Sequence, residues 1–427
     1  MMMTRILPLL CLAVLGACAE RATAPAPIVS SPVSLARIGD AHDVGHYVAM
    51  GTSLSMGVMS NGVVATDQAG SWPAQLASLA RVPFSQPLLQ SPGCQPPLAA
   101  PLASLRRVNG ESPFVRSAVC SPRADGLTTA TQNVALSEAL TFNALATTPA
   151  SPSPASWTLR GAFYGRVLGS GQTQLSAMLA QQPDLVSVEF GVNEVLGARS
   201  GLLAPGVTIV PAAVWKPAYD QLIAGVRTAN ARVLLVGLLS DVTNFPSLRR
   251  GAEIHAERAA LAGFGITVAA DCGGDAAGNF IYVPAKVVGA YAAGLAARAA
   301  GRPLPVLGCA DVPGTQDFVL TPADVAALDA QVADMNAHIR ATASQHGFAF
   351  IDIDPLYGRR DLKGPFSAAA LLTGSDPFGP LISLDGVHPS AAGHEIIARE
   401  AAHALNVSYH LGIPRARTFA AQAHRQN

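Results

Sequence analysis

A serine, an asparagine, an aspartate and a histidine in this chain carry the groups that nucleophilic attack on a carbonyl requires. Ser53 lies in HYVAMGTSLSMG (46–57), just past the apolar run 47–50 and the glycine at 51. Asn193 lies in GVNE (191–194), at the end of the apolar run DLVSVEFG (184–191). Asp385 and His388 share LDGVHPSAAGH (384–394), ahead of the last helical pattern. A serine hydroxyl is a weak nucleophile until a base takes its proton, and a neutral imidazole can do so near pH 7. A carboxylate three residues before the histidine can fix its tautomer and stabilise its cation. The Asn193 amide and the Ser53 backbone N–H can donate to the oxyanion of a tetrahedral intermediate. Each residue has an ordinary alternative: a Gly-x-Ser turn, a turn or cap asparagine, a cap aspartate beside an incidental histidine. Their order and positions together favour chemistry.

Those positions depend on the elements around them. A strand that stops at a glycine and turns into a helix holds its next side chains at the carboxyl edge of the sheet, where open α/β sheets bind ligands. The runs at 47–50, 184–191, 231–239 and 347–353 are continuously apolar, the pattern of strands covered on both faces; QNVAL (132–136) is a further strand candidate. Helical spacing marks 71–80, 171–182, 217–230, 321–345 and 390–405, with Thr321 as cap, Pro322 in the first turn and Asp324 beside it. Alternating strands and helices imply an α/β fold with a parallel sheet between helical layers. Residues 82–128, rich in Pro, Ser and Gly, form a surface excursion, and 146–156 is a low-complexity loop. Residues 241–320 break the alternation and are expected to form an inserted subdomain, whose Ala-rich 285–301 stretch is a packing helix rather than a membrane one.

Of 427 residues, 50% are hydrophobic and 13% charged, enough for a large core and too apolar for general disorder. The 28 basic and 28 acidic residues cancel, leaving no electrostatic footprint for nucleic acid. Arg5 precedes ILPLLCLAVLGA (6–17), too short to span a bilayer and shaped like a secretory signal peptide. Leu15-Gly16-Ala17-Cys18 resembles a bacterial lipobox, which would make Cys18 the lipidated first residue; an ordinary cleaved signal is the alternative. The expected organisation is a signal peptide (1–17), a Pro/Ala/Ser tether (18–40), a folded domain (41–412) and a tail (413–427). The expected location is the cell envelope, outer membrane or periplasm, with membrane contact through the anchor alone. Four further cysteines in an exported chain suggest two disulfides, with three connectivities open; neighbour pairing, Cys94–Cys120 and Cys272–Cys309, would staple each excursion separately. The sequence has no Cys-x-x-Cys pair, and no metal or cofactor is expected.

The segments YVAMGTSLSMG, QQPDLVSVEFGVNE, LLVGLLSDVTNFP, LTPADVAALDAQVADMNAHI and SLDGVHPSAAGHEIIA together resemble the SGNH hydrolases, or GDSL esterases and lipases, in an exported bacterial lipoprotein branch. The resemblance spans nearly the whole mature chain and implies a flavodoxin-like three-layer αβα sandwich. It also implies a serine ester hydrolase with Ser53 as nucleophile, His388 as base, Asp385 as its orienting carboxylate and Asn193 in the oxyanion hole. The substrate would be a small-molecule, lipid or acylated-glycan ester. Two positions depart from the family pattern. Thr52 stands where Asp is usual. Glu138, in NVALSEA, stands where a glycine usually gives a backbone N–H to the oxyanion, with Gly126 as an alternative donor. The Glu138 departure also admits a non-catalytic surface-binding lipoprotein that retains the fold. Glu194 and the histidines at 394, 403 and 410 are expected to be structural, Glu194 as a turn or cap and the histidines on helix surfaces.

Overall fold

The computed structural model describes residues 44–152 and 160–414. The signal segment, Cys18, the tether, part of the 146–156 loop and all but the start of the tail lie outside those residues. Among the described residues nine short strands occur: β1 Tyr47–Gly51, β2 Leu185–Glu189, β3 Arg232–Val236, β4 Leu248–Arg250, β5 Thr267–Val268, β6 Phe280–Tyr282, β7 Val306–Leu307, β8 Val319–Leu320 and β9 Ala349–Ile351.

The apolar runs form one parallel sheet in the order β1-β2-β3-β9. Every residue of β1 and β2 is buried, as their unbroken apolar pattern requires. Each fully buried Val or Leu there contributes about 1.5–3 kcal/mol of transfer free energy. The Ala391–Tyr409 helix packs on β3 and β9 and against the Trp72–Ala80 helix. The Pro322–His346 helix packs on the same two strands in a second layer with Ala212–Arg227 and Gln174–Leu179. The three-layer αβα sandwich is therefore present.

The 132–136 segment is not a regular strand, yet it lies along the free edge of β1. Asn133 bridges Ala49 in parallel, with N–H···O bonds from Ala49 to Gln132 (2.9 Å), Val134 to Ala49 (2.9 Å) and Leu136 to Gly51 (3.0 Å). The Asn133 side chain accepts from the Ala135 N–H (3.1 Å) and donates to the Ser55 carbonyl (2.9 Å), a local bond that competes with a regular ladder. Counted with this segment, the spatial order is second, first, third, fourth, fifth, the flavodoxin-like order. Its switch point falls between β1 and β2.

The helix expected from 217 begins earlier, at Ala212, and runs through Pro217. Trp215 is buried and donates from Nε1 to Thr141 Oγ1 (2.8 Å), which fixes the turn ahead of the proline. Thr321 caps the Pro322–His346 helix as expected, accepting from the Asp324 N–H and receiving its carboxylate in return.

Residues between β3 and β9 hold a three-stranded antiparallel sheet, β4-β6-β8, and a parallel pair, β5-β7. The Ala-rich stretch is the Val283–Ala299 helix. Among the described residues no helix is long and apolar enough to cross a membrane. The disulfides are Cys94–Cys120, in the 82–128 excursion, and Cys272–Cys309, in the insertion.

Candidate active site

β1 ends at Gly51, and the Ser53–Met56 helix starts two residues later. Gly51 is required by close approach: a Cβ there would sit 2.8 Å from the Glu189 carbonyl oxygen and 2.8 Å from Ser55 Oγ. Beneath the turn lies the Glu189 carboxyl, at the end of β2. It accepts from the Thr52 N–H (2.9 Å) and hydroxyl (2.8 Å) and from the Ser55 N–H (3.2 Å) and hydroxyl (3.0 Å). Thr52 is thus the donor to an acid supplied by the neighbouring strand. The bonds leave Ser53 at the helix start with its hydroxyl facing outward and its own N–H without an intrahelical acceptor.

His388 reaches Ser53 from the loop before the last helix. Its Nε2 is 2.9 Å from Ser53 Oγ, and its Nδ1 is 2.8 Å from Asp385 Oδ2. Asp385 Oδ1 accepts from the backbone N–H groups of Val387 (2.9 Å) and His388 (2.8 Å), and Oδ2 from that of Asn61 (2.6 Å). Burial alone would raise the Asp385 carboxyl, but the His388 charge and these donors outweigh it and hold it at about 2. The carboxylate therefore stays ionised at any pH where an imidazole titrates. The Tyr357 hydroxyl donates to the Val387 carbonyl (2.6 Å), and Tyr282 from β6 donates to the Asp385 carbonyl (3.3 Å), so the insertion supports this loop directly.

Asn193 opens a short helix just past β2. Its Nδ2 donates to the Ala139 carbonyl (2.9 Å), which orients the amide and ties it to the 137–139 turn. Glu138 in that turn has φ +61°, the left-handed conformation that glycine adopts at least cost. The backbone at 138 thus has the shape that the glycine expected there would take. The carboxylate turns aside into a two-pronged ion pair with Arg116 (3.0 Å) from the disulfide-bridged excursion. Ser53, Glu138, Asn193 and His388 line one cleft with Arg116 and Arg199; Gly126 is fully exposed and is not in its wall.

The scan of known families matches residues 47–401 to GDSL-like Lipase/Acylhydrolase. The chain belongs to that family. It is a carboxylic ester hydrolase. No curated protein sequence matches it. Solved structures similar to this GDSL-family hydrolase include a catalytic mutant of an acetylxylan esterase from Geobacillus stearothermophilus, at 13% identity, 88% of this chain and 97% of that one covered, and TM-score 0.33. An extracellular lipase from Streptomyces rimosus gives 16% identity, 85% and 98% coverage, and TM-score 0.33. A GDSL-like lipase from Parabacteroides merdae gives 12% identity, 87% and 99% coverage, and TM-score 0.31.

Several residues of this GDSL-family site differ from expectation or were not foreseen. His394 is fully buried rather than on a helix surface, and burial, with the nearby His388 charge, pushes it down to about 3, so it stays neutral. His403 and His410 are exposed, as expected. Glu194 caps a different helix from its own: Oε1 accepts from the Thr141 N–H (2.7 Å) at the start of Thr141–Ala146. It thereby holds the turn that carries Glu138. Glu189, Asn61 and Tyr282 went unnoticed. Only Glu189 left a trace in the sequence, as a carboxylate in the midst of the apolar residues 185–190.

Burial raises Glu189 from its ordinary 4.5 to about 7, although the four donors from Thr52 and Ser55 pull the other way. A folded-state pKa above the unfolded one gives stability that is complete below pH 4.5 and lost as pH rises through 7. Relative to the non-titrating variant Glu189→Gln, the wild-type Tm should therefore fall by roughly 2–4 °C across that interval. Thermal melts of both proteins from pH 4 to 8 measure it. A Tm difference independent of pH would rule out Glu189 as the titrating group.

Proposed function

We propose that this chain hydrolyses esters through an acyl-enzyme on Ser53, with His388 as general base and then general acid. The observation that carries this is the continuous chain from Ser53 Oγ through the imidazole to the Asp385 carboxylate, at 2.9 and 2.8 Å. His388 Nε2 takes the Ser53 proton as Oγ attacks the ester carbonyl, and the tetrahedral oxyanion forms. Collapse breaks the C–O bond to the alcohol, which leaves with the proton from Nε2. Water, deprotonated by the same imidazole, then attacks the acyl-enzyme and releases the acid. The Ser53 and Glu138 N–H groups and the Asn193 amide are the assigned oxyanion donors.

The cleft is small and partly open to solvent, and its wall mixes Val58, Val63 and Phe163 with Gln95, Arg116 and Arg199. That composition suits a short-chain ester with a polar group better than a long acyl chain. A non-catalytic binding role drew its support from Glu138; the Arg116 pair neutralises that carboxylate, and the backbone at 138 keeps the glycine-like shape. We also place the enzyme in the bacterial cell envelope, lipid-anchored through Cys18, on the strength of Leu15-Gly16-Ala17-Cys18 after an apolar leader.

One experiment addresses both site and location. A serine-directed fluorophosphonate should label the full-length protein in the membrane fraction of expressing cells. Ser53→Ala should abolish the label. Cys18→Ser should move the labelled protein out of that fraction. Labelling that survives Ser53→Ala would refute the nucleophile assignment, and membrane retention of Cys18→Ser would refute the anchor.

A further inference from the structure

Arg199 sits in a short helical turn, Gly197–Ser200, just past the Asn193 helix, and lines the same cleft as Ser53 and His388. It is half-buried, and its guanidinium lies 5.8 Å from the centre of the Tyr282 ring. Among the described residues no carboxylate forms an ion pair with it. The one carboxylate lining the cleft, Glu138, is held by Arg116 on the excursion wall. The cleft lining thus contains two guanidinium groups and one carboxylate; Arg116 is paired with Glu138, and the nearby Asp385 carboxylate is engaged by His388 and three backbone N–H groups, so Arg199 is the guanidinium of the lining without an ion-pair partner among the described residues. A guanidinium in a partly desolvated cleft is a strong binder of oxyanions, because its fork of N–H donors matches two oxygens at once. The Tyr282 ring face holds the cation in place, and the same tyrosine braces the Asp385 loop, so Arg199 is fixed relative to the reacting centre.

We infer that the ester cleaved at Ser53 carries an oxyanion group, a carboxylate or a comparable acid, and that Arg199 binds it. The inference rests on the ester-hydrolase reading above and names its substrate class. Neutral esters are then poor substrates, and the guanidinium selects for a negative charge a few bonds from the scissile carbonyl. Arg199 enters no bond-making step. It is a specificity-determining residue, and its effect belongs in the ratio of rates between charged and neutral esters.

The test compares three esters: neutral 4-nitrophenyl acetate, mono-4-nitrophenyl fumarate with its charge on the acyl side and a trans double bond that keeps the carboxylate from attacking its own ester, and 3-carboxy-4-nitrophenyl acetate with its charge on the alcohol side. Each kcat/KM is divided by the rate of hydroxide-catalysed hydrolysis, which removes differences in intrinsic reactivity. For the wild type, at least one charged ester should exceed the neutral one by roughly tenfold or more at low salt, and the advantage should shrink as ionic strength rises. Arg199→Gln should bring the ratio near one, and Arg199→Lys should retain part of it. Turnover of the neutral ester reports that each variant is folded. A wild-type ratio near one, or a ratio that Arg199→Gln leaves intact, overturns the inference while ester hydrolysis stands. Failure of the wild type to hydrolyse any of the three, together with no fluorophosphonate labelling of Ser53, overturns the ester-hydrolase reading and the inference with it.

Discussion

Replacing His388 with alanine should lower kcat for any ester by roughly 10^4 to 10^6, because the nucleophile and its base act as one unit. The side chain is a small part of the core, so Tm should stay close to the wild-type value. In the wild type, kcat/KM should fall in acid, because only a neutral imidazole can take the Ser53 proton. Asp385 adds no second acid limb. Its folded pKa of about 2 lies below its ordinary 3.8, so the stability it contributes is complete above 3.8 and is lost only as pH falls toward 2. Steady-state assays from pH 5 to 9 on both proteins check this. Near-wild-type turnover by the alanine variant would remove His388 from the mechanism.

The second large effect concerns the oxyanion hole. Asn193→Ala removes an amide that its bond to the Ala139 carbonyl already holds in place. It should lower kcat by roughly a hundredfold or more with little change in KM, the behaviour of an interaction made only in the transition state. Glu138→Gly is the companion measurement. Position 138 already has a left-handed backbone, so glycine relieves conformational cost and keeps the N–H. Turnover should hold or increase, even though the Arg116 pair is lost. A harmless Asn193→Ala would mean the oxyanion is bound elsewhere. Loss of activity in a folded Glu138→Gly would give the glutamate a part in the chemistry.

The sheet was legible because its strands are buried on both faces, and such strands appear in the sequence as unbroken apolar runs. The 132–136 segment was legible as a strand by composition but not by geometry, since Asn133 spends its side chain on the backbone beside it. Ser53 and Asn193 could be picked out because each falls just past an apolar run that ends at a glycine, and Asp385 and His388 because they share the short loop before the last helical pattern. What supports them could not. Asn61 acts through its backbone N–H, which no residue type encodes. Tyr282 comes from a strand more than a hundred residues before Asp385, and only the folded insertion brings the two together. The surface placement expected for His394 failed for a related reason: on a helix rich in alanine, periodicity does not distinguish the inward face from the outward one.

Both stapled excursions border the cleft, one through Cys94 and Arg116 and the other through the Tyr282 ring that holds Arg199. The reacting groups, by contrast, stand at the ends of sheet strands and in the loop before the last helix. The cleft walls and the reacting groups thus come from different parts of the chain. The excursions are held by their crosslinks, which restrict the unfolded chain by about 3–4 kcal/mol each, and by buried side chains such as Leu89, Leu102, Phe280 and Ile281 that join the main core. Their exposed residues, apart from those that pack in the core or brace the site as Arg116 and Tyr282 do, can be changed or lengthened while the nucleophile and its base stay in register. Grafting the 94–120 loop from another member of the family, with Arg107 and Arg116 kept so that the Asn61 and Glu138 contacts survive, is therefore a route to altered ester preference.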